Sequence, residues 1–125
     1  MLTVLDSSNY LKGLLILARK DNKLVDNERE IIRGVAKEFG FSRDFYEDTL
    51  RTLMSNKYIK DEPFKFSSRD VAEKFLNDGF KLALSDGSFE NTELSWLKNF
   101  AHLNDIDEPR FQAILSSFLN EQKAS

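Results

Sequence analysis

The sequence predicts an all-α protein, a compact bundle of six or seven helices built from two similar three-helix units. Its apolar residues recur three and four positions apart, as on one face of a helix, and no stretch alternates for long with the period of two that marks a strand. The pattern of residues 7–56 also returns in residues 72–121 without a gap, at a constant offset (86 − 21 = 65). We therefore predict a single domain over residues 1–125, with a connector at residues 57–66 between the two units.

The first unit contains three predicted helices. The first begins near Ser7 or Ser8, whose hydroxyl groups can cap free backbone N–H groups, and it ends at Asp21 and the following Asn. The second runs from about Asp26 to Phe39 and is closed by the next glycine, and the third follows a Ser42 cap. The residues expected to face the core are Leu11, Leu14, Leu15 and Ala18, then Ile31, Ile32, Val35 and Phe39, then Phe45 or Tyr46 with Leu50, Leu53 and Met54.

The second unit repeats this order after a connector in which Pro63 breaks any helix. Ser67 is the predicted cap of the fourth helix, and Gly79 within that helix indicates a close contact with another helix. The fifth helix is predicted from about Asn91 to Leu103, and the sixth after Asp107 and Pro109. The predicted core residues are Val71, Phe75, Leu76, Phe80 and Ala83, then Trp96 or Leu97 with Phe100 and Ala101, then Phe111, Ile114, Leu115 and Phe118.

Composition and charge argue against several classes of function. The chain has no cysteine, so thiolate catalysis, disulfide bonds and cysteine zinc sites are excluded. Its net charge is −3 with acidic and basic residues interleaved, whereas a nucleic-acid-binding protein usually has a clustered basic surface. There is no glycine-rich phosphate loop, no Ser or Thr nucleophile beside a base, and one histidine, His102, which we expect to be exposed. We therefore expect neither enzymatic activity nor a nucleic-acid partner.

The first residues do not resemble a signal peptide, because Asp6 and Lys12 interrupt the apolar stretch and no basic segment precedes it. The longest apolar run, Leu14–Ala18, is far shorter than the roughly 18 residues that a membrane span needs. We therefore expect a soluble, cytoplasmic protein without membrane insertion, either a monomer or a homodimer.

The most informative motif is an acidic turn that occurs once in each unit. It reads DNKLVDNE from Asp21 to Glu28 and DGSFENTE from Asp86 to Glu93. In both copies the Asp and the Glu are seven residues apart (28 − 21 = 93 − 86 = 7), and the Glu enters the first turn of the next helix. A purely structural explanation exists, because the Asp can bond turn N–H groups and the Glu meets the positive end of the helix dipole.

The same turns also have the chemistry of a metal site. Calcium and magnesium prefer oxygen ligands, and a loop Asp and a first-turn Glu can converge on one ion. We therefore name Asp86, Glu93, Asp21 and Glu28 as candidate ligands for a divalent cation. The second turn is the better candidate, because lysines in and beside the first turn compete with a cation. The spacing differs from that of an EF-hand loop.

At these residues the chain resembles the TerB-like family, named for a tellurite-resistance protein. The family pattern, roughly Ala-x-x-Asp-Gly-x-aliphatic-x-x-x-Glu found twice, stands here as Ala18–Leu24 with Glu28 and as Ala83–Phe89 with Glu93. Asn22 takes the place of the usual Gly in the first copy. The resemblance covers most of the chain and implies a compact helical domain whose acidic residues are proposed to bind divalent metal. It also implies roles in bacterial stress response, phage defence or membrane-linked complexes, through partners and not through catalysis.

Two functions follow as expectations. The first is a TerB-like, non-catalytic stress-response or interaction module whose acidic turns bind a divalent cation. The second is a plain helical protein-interaction domain in which the acidic turn residues only cap helices. A third option is an acidic surface around Glu90, Asn91 and Glu93 that recruits a basic patch of a protein partner. The partner's identity is left open by the sequence.

Overall fold

The computed structural model describes residues 3–19, 26–55, 62–84 and 91–124, and within these ranges it contains six α-helices and no strand. The prediction of an all-α helical bundle is therefore confirmed. The helices are α1 (Val4–Arg19), α2 (Asp26–Glu38), α3 (Arg43–Ser55), α4 (Arg69–Ala83), α5 (Asn91–Leu103) and α6 (Glu108–Ala124).

α1 and α4 form the centre of the bundle. They pack against each other, α1 also packs against α2 and α3, and α4 also packs against α5, α6 and α2. The run Leu14–Ala18 is buried on every side of α1, which is the pattern of a helix enclosed by neighbours. No helix in the described ranges is long and apolar enough to cross a membrane.

The helices of the second unit begin 65 residues after those of the first (69 − 4 = 91 − 26 = 108 − 43 = 65). Matched core residues are buried in both units: Tyr10 and Phe75 are 0% exposed, and so are Ile32 and Leu97. The sequence repeat therefore coincides with the helix boundaries, and the superposition of the two whole units stays a prediction.

The α2–α3 and α5–α6 corners have the same backbone design. Gly40 and Asp105, which are 65 residues apart, have positive φ angles of 79° and 61°. The N–H of Phe41 donates to the Ala36 carbonyl at 2.9 Å, and the N–H of Ile106 donates to the Ala101 carbonyl at the same distance. These left-handed residues and the hydrogen bonds that follow them are typical of helix C-termini.

The third helix of each unit is capped in the same way. The backbone N–H of Phe45 donates to Ser42 Oγ at 3.1 Å, and that of Arg110 donates to Asp107 Oδ1 at 3.0 Å. The predicted Ser42 cap is therefore confirmed.

The predicted start of α1 at Ser7 or Ser8 is wrong, because α1 begins at Val4. The cap is Thr3, whose Oγ1 accepts a hydrogen bond from the Asp6 N–H at 3.0 Å. Both serines lie inside the helix and are partly buried.

The predicted Ser67 cap of α4 is also wrong. Ser68 is the N-cap residue, and its Oγ accepts a hydrogen bond from the Val71 N–H at 3.3 Å. The Ser67 hydroxyl instead donates to the carboxylate of Asp6, and the Ser67 N–H donates to Asp6 Oδ1 at 3.2 Å.

The core contains most of the predicted residues. Of the two alternatives on α3, Tyr46 is buried and Phe45 is 45% exposed, whereas on α5 both Trp96 and Leu97 are buried. Predicted core residues that are only partly buried are Ile31, Phe39, Val71 and Leu115. The side chains of Leu50, Leu53 and Met54 lie outside the described part of the structure.

The close contact predicted at Gly79 is confirmed. A Cβ atom at this position would lie 2.9 Å from Leu97 Cδ2 and 3.4 Å from Leu17 Cδ2. Glycine at this position therefore lets α4 approach side chains from α1 and α5 at once.

Candidate functional site

The structure describes the side chain of one of the four predicted metal ligands. Asp21 and Asp86 lie outside the described residues, and Glu28 is described only as the third residue of α2. Glu93 is the third residue of α5, so the two glutamates take the same place in the first turn of their helices. The convergence of Asp86 with Glu93, and of Asp21 with Glu28, therefore stays a prediction.

Glu93 is almost completely buried, with 2% of its surface exposed. A carboxylate in the first turn of a helix is stabilised by the positive end of the dipole and by free N–H groups. Burial of a charge is unfavourable unless the charge is paired or coordinates a metal. In the described ranges, no buried side-chain nitrogen or oxygen atom lacks a hydrogen-bond partner. The carboxylate of Glu93 can therefore stabilise the start of α5, bind a cation, or do both.

The described ranges contain no group of three or more His, Asp or Glu side chains arranged to hold a metal ion. A metal site of three or more such ligands at Glu93 would thus include residues outside these ranges, and Asp86 is the candidate that the sequence predicts.

A groove of about 430 Å³ borders the first turn of α5. Its lining is rich in hydroxyl and amide groups and consists of Glu62, Pro63, Asn91, Thr92, Ser95, Trp96 and Asn99. Asn91, Thr92, Ser95 and Asn99 lie on the exposed side of α5, so the start of this helix adjoins a polar surface.

A second cavity, of about 290 Å³, lies between α2 and α3. We call it the α2–α3 pocket, and its lining is Arg33, Ala36, Lys37, Phe41, Arg43 and Tyr46. Burial raises the pKa of Tyr46, and the charge of Glu47 raises it further while Arg33 and Arg29 oppose the rise. The phenol is therefore neutral near pH 7, and its hydroxyl donates to the Arg29 carbonyl at 3.4 Å.

Two buried polar residues, Asp6 and Asn104, were not predicted from the sequence. Asp6 is 4% exposed and binds Ser67, so it joins the start of α1 to the segment before α4. The signal that could have found it stands one residue before the repeat, where Asp6 is matched 65 positions later by the apolar Val71.

Asn104 is the other buried polar residue, again 4% exposed. Its Oδ1 accepts a hydrogen bond from the Phe66 N–H at 2.8 Å, and its Nδ2 donates to the carbonyls of Phe64 at 3.0 Å and Phe100 at 2.9 Å. It therefore holds the end of the connector against α5. Its counterpart in the first unit is Phe39, which is again an apolar residue.

A further polar network lies where α1, α2 and α4 meet. The Tyr10 hydroxyl donates to Asp78, and Lys74 forms ion pairs with Asp78 at 3.3 Å and Glu38 at 3.2 Å. Burial raises the pKa of Tyr10 far above its ordinary value, and Asp78 raises it further. Burial alone would lower the pKa of Lys74, but Asp78 and Glu38 outweigh that effect and raise it. The network joins three helices and has the character of a structural link.

His102 is exposed on α5, as predicted.

Comparison with known proteins found no matching family model, no similar curated protein and no similar solved structure.

Proposed function

We propose that this protein is a TerB-like, non-catalytic interaction module whose acidic turns bind a divalent cation, calcium or magnesium. The ligands in this proposal are Asp86 and Glu93 in the second turn and Asp21 and Glu28 in the first. Binding of the cation would link an Asp before a helix to a Glu in the first turn of that helix, and so couple metal state to the surface that a protein partner recognises.

The observation that carries the proposal is the burial of Glu93 in the first turn of α5. A side chain that only shields the end of a helix dipole can do so from the surface, and a buried carboxylate requires a strong partner. Glu93 already has a partner within the protein, and a divalent cation can bind its carboxylate in addition. Asp86 is the candidate second ligand, because an Asp also stands seven residues before the matching Glu28 of the first unit. The support is strengthened by Glu28, which is the third residue of α2 just as Glu93 is the third residue of α5.

The alternative is a plain helical protein-interaction domain in which the acidic turn residues only cap helices. It is favoured by the hydrogen bonding of the described part of the chain, where no buried side-chain nitrogen or oxygen atom is without a partner. In this case Glu93 contributes to stability through backbone N–H groups, and a divalent cation has no effect on the protein.

Thermal melting with added calcium or magnesium distinguishes the two functions. A cation that binds only the folded state stabilises it by RT ln(1 + [L]/Kd), which is about 2.7 kcal/mol at 100 times Kd. For a chain of this size we expect a rise in Tm of about 10 °C. Sodium chloride at equal ionic strength is the control for general screening of charge.

The variants Asp86→Asn and Glu93→Gln should abolish the rise in Tm caused by the cation. Because Glu93 is buried, Glu93→Gln is also expected to lower the Tm measured without cation, so the quantity to compare is the difference between the two melts. The matched control is Glu121→Gln, which removes an exposed carboxylate from α6 and should keep the full cation response. If the Tm of the wild-type protein is the same with and without cation, the metal proposal is wrong and the acidic residues only cap helices.

A further inference from the structure

The α2–α3 pocket is a cationic cavity in an acidic protein. Of the six lining residues that the structure describes, Arg33, Lys37 and Arg43 are basic and none is acidic. The chain as a whole has a net charge of −3, so the sign of the charge is locally reversed at this cavity. Such a reversal attracts a negatively charged ligand.

Two of the three cations are not occupied by the protein's own acids. Arg33 forms ion pairs with Glu30 at 2.9 Å and with Glu47 at 3.8 Å. Lys37 and Arg43 form no ion pair with any residue in the described ranges, although both are exposed. Their charges are therefore free to pair with carboxylates from another molecule.

The corresponding corner of the second unit is neutralised. The residues 65 positions after Arg33 and Arg43 are Lys98 and Glu108, and these two side chains form an ion pair at 3.6 Å across the α5–α6 corner. In the first unit both matched residues, Arg33 and Arg43, are arginines. The α2–α3 corner therefore has two like charges where the α5–α6 corner has two opposite ones. The charge of the α2–α3 pocket thus comes from a difference between two corners that share the same backbone design.

The floor of the pocket is apolar and its size limits the occupant. Ala36, Phe41 and Tyr46 form the floor, and the Phe41 ring stacks on Phe45 with centroids 5.0 Å apart. Phe45 is 45% exposed, so the apolar surface continues beyond the cavity. The volume of about 290 Å³ is just below the roughly 300–1,000 Å³ of cavities that enclose small ligands. It suits one aromatic or branched aliphatic side chain that anchors a longer segment.

We propose that the α2–α3 pocket binds an acidic peptide segment of a partner protein. One aromatic or branched aliphatic side chain of the segment packs on Phe41 and Tyr46, and carboxylates on either side pair with Lys37 and Arg43. The proposal rests on the proposed function in one respect, that the protein acts by binding a protein partner. It places the partner on the first unit, apart from the second acidic turn.

The test is a titration of ¹⁵N-labelled protein, followed by NMR, with the acetylated peptide Glu-Asp-Phe-Asp-Glu. We expect saturable shifts of the backbone amides of Ala36, Phe41 and Arg43 at peptide concentrations of about 1–10 mM or below. The matched peptide with Ser in place of Phe should bind at least about tenfold more weakly, because it lacks the apolar anchor.

Arg43→Glu is the decisive variant. It creates across the first corner the opposite charges that Lys98 and Glu108 have across the second, so the fold has a precedent for it within the same chain. We expect it to weaken binding of the peptide at least about tenfold, since it replaces an attraction by a repulsion. The control is Lys65→Glu, which makes the same change of charge at an exposed connector residue outside the pocket lining and should leave affinity within about twofold.

Three results would overturn the proposal: no amide shifts at about 10 mM peptide, equal affinity of the peptides with Phe and Ser, or equal affinity for inorganic phosphate or a single-stranded oligonucleotide. The last would indicate an anion site that does not recognise a peptide. Glu93→Gln should leave peptide affinity unchanged, so a failure of the metal proposal appears in the melting data and a failure of this one appears in the titration.

Discussion

Two helical glycines, Gly13 and Gly34, lie in opposite surroundings. A Cβ atom on Gly13 would lie 2.8 Å from Cε2 and Cζ of Phe75 and 2.9 Å from Cζ of Phe64. A Cβ atom on Gly34 would meet nothing within 4 Å. Only Gly13 is therefore required by packing, because it lets α1 come close to buried aromatic rings of α4 and the connector.

This contrast predicts opposite effects of one substitution. Gly13→Ala should destabilise the protein by up to about 2 kcal/mol, because overpacking costs about 1–3 kcal/mol and helix propensity returns only about 1 kcal/mol. Gly34→Ala meets no neighbour and should stabilise the protein by up to about 1 kcal/mol. Urea denaturation of both variants measures the two differences in free energy of unfolding. A change of the same sign in both variants would contradict this account of the α1–α4 contact.

At the level of the helices, an ionic clamp joins α4 to α6. Arg110 donates from Nη2 to Glu73 Oε1 at 2.6 Å and from Nε to Oε2 at 3.2 Å, and Arg69 Nε also donates to Oε2 at 3.2 Å. The hydrogen bond from Arg110 holds the pKa of Glu73 below its ordinary value of 4.5, and partial burial opposes the shift. Two-pronged pairing of this kind is the strong form of a carboxylate–guanidinium contact.

The lowered pKa sets the direction of a pH dependence. Because the folded state binds the Glu73 proton less tightly than the unfolded state does, the clamp contributes stability above about pH 4.5 and loses it as pH falls through the folded pKa. Glu73→Gln should therefore reduce the loss of stability between about pH 5 and pH 3. The measurement is a series of thermal melts across this range, with Glu121→Gln as the control for loss of an exposed carboxylate. If Glu73→Gln lost as much stability as the wild type on acidification over this range, the ion pairs of Glu73 would not contribute to the pH dependence.

Sequence periodicity predicted both ends of α2 and α5 to within one residue, because burial of one apolar face is a local pattern. Of the two wrong caps, at the start of α1 and of α4, the second has a cause that the structure shows. Asp6 of the first unit binds both the hydroxyl and the N–H of Ser67, which is 61 residues away. This contact engages Ser67 and leaves the capping of α4 to Ser68. A choice between adjacent serines depends on such a distant partner, so local sequence rules could not make it.

The whole molecule contains two corners, α2–α3 and α5–α6, that share a backbone design and carry different charges. The repeat predicted where Glu93 enters α5, because a first-turn acid follows from short-range electrostatics. Its burial depends on how the helices pack, which no local pattern contains. The α2–α3 pocket was missed for a related reason: Arg33 and Arg43 belong to different helices, and only the fold brings them to one cavity. The replacement of Arg43 by Glu108 at the matched position was the signal that could have revealed it.

The central functional claim is that the buried carboxylate of Glu93 belongs to a cation site. The most direct measurement is anomalous X-ray diffraction from crystals grown with manganese, a divalent ion that accepts the same oxygen ligands. The account predicts an anomalous peak about 2.0–2.6 Å from a carboxylate oxygen of Glu93, with Asp86 as a second ligand. Crystals that contain manganese in solution but show no peak there, with Glu93 bonded only to backbone N–H groups, would contradict it.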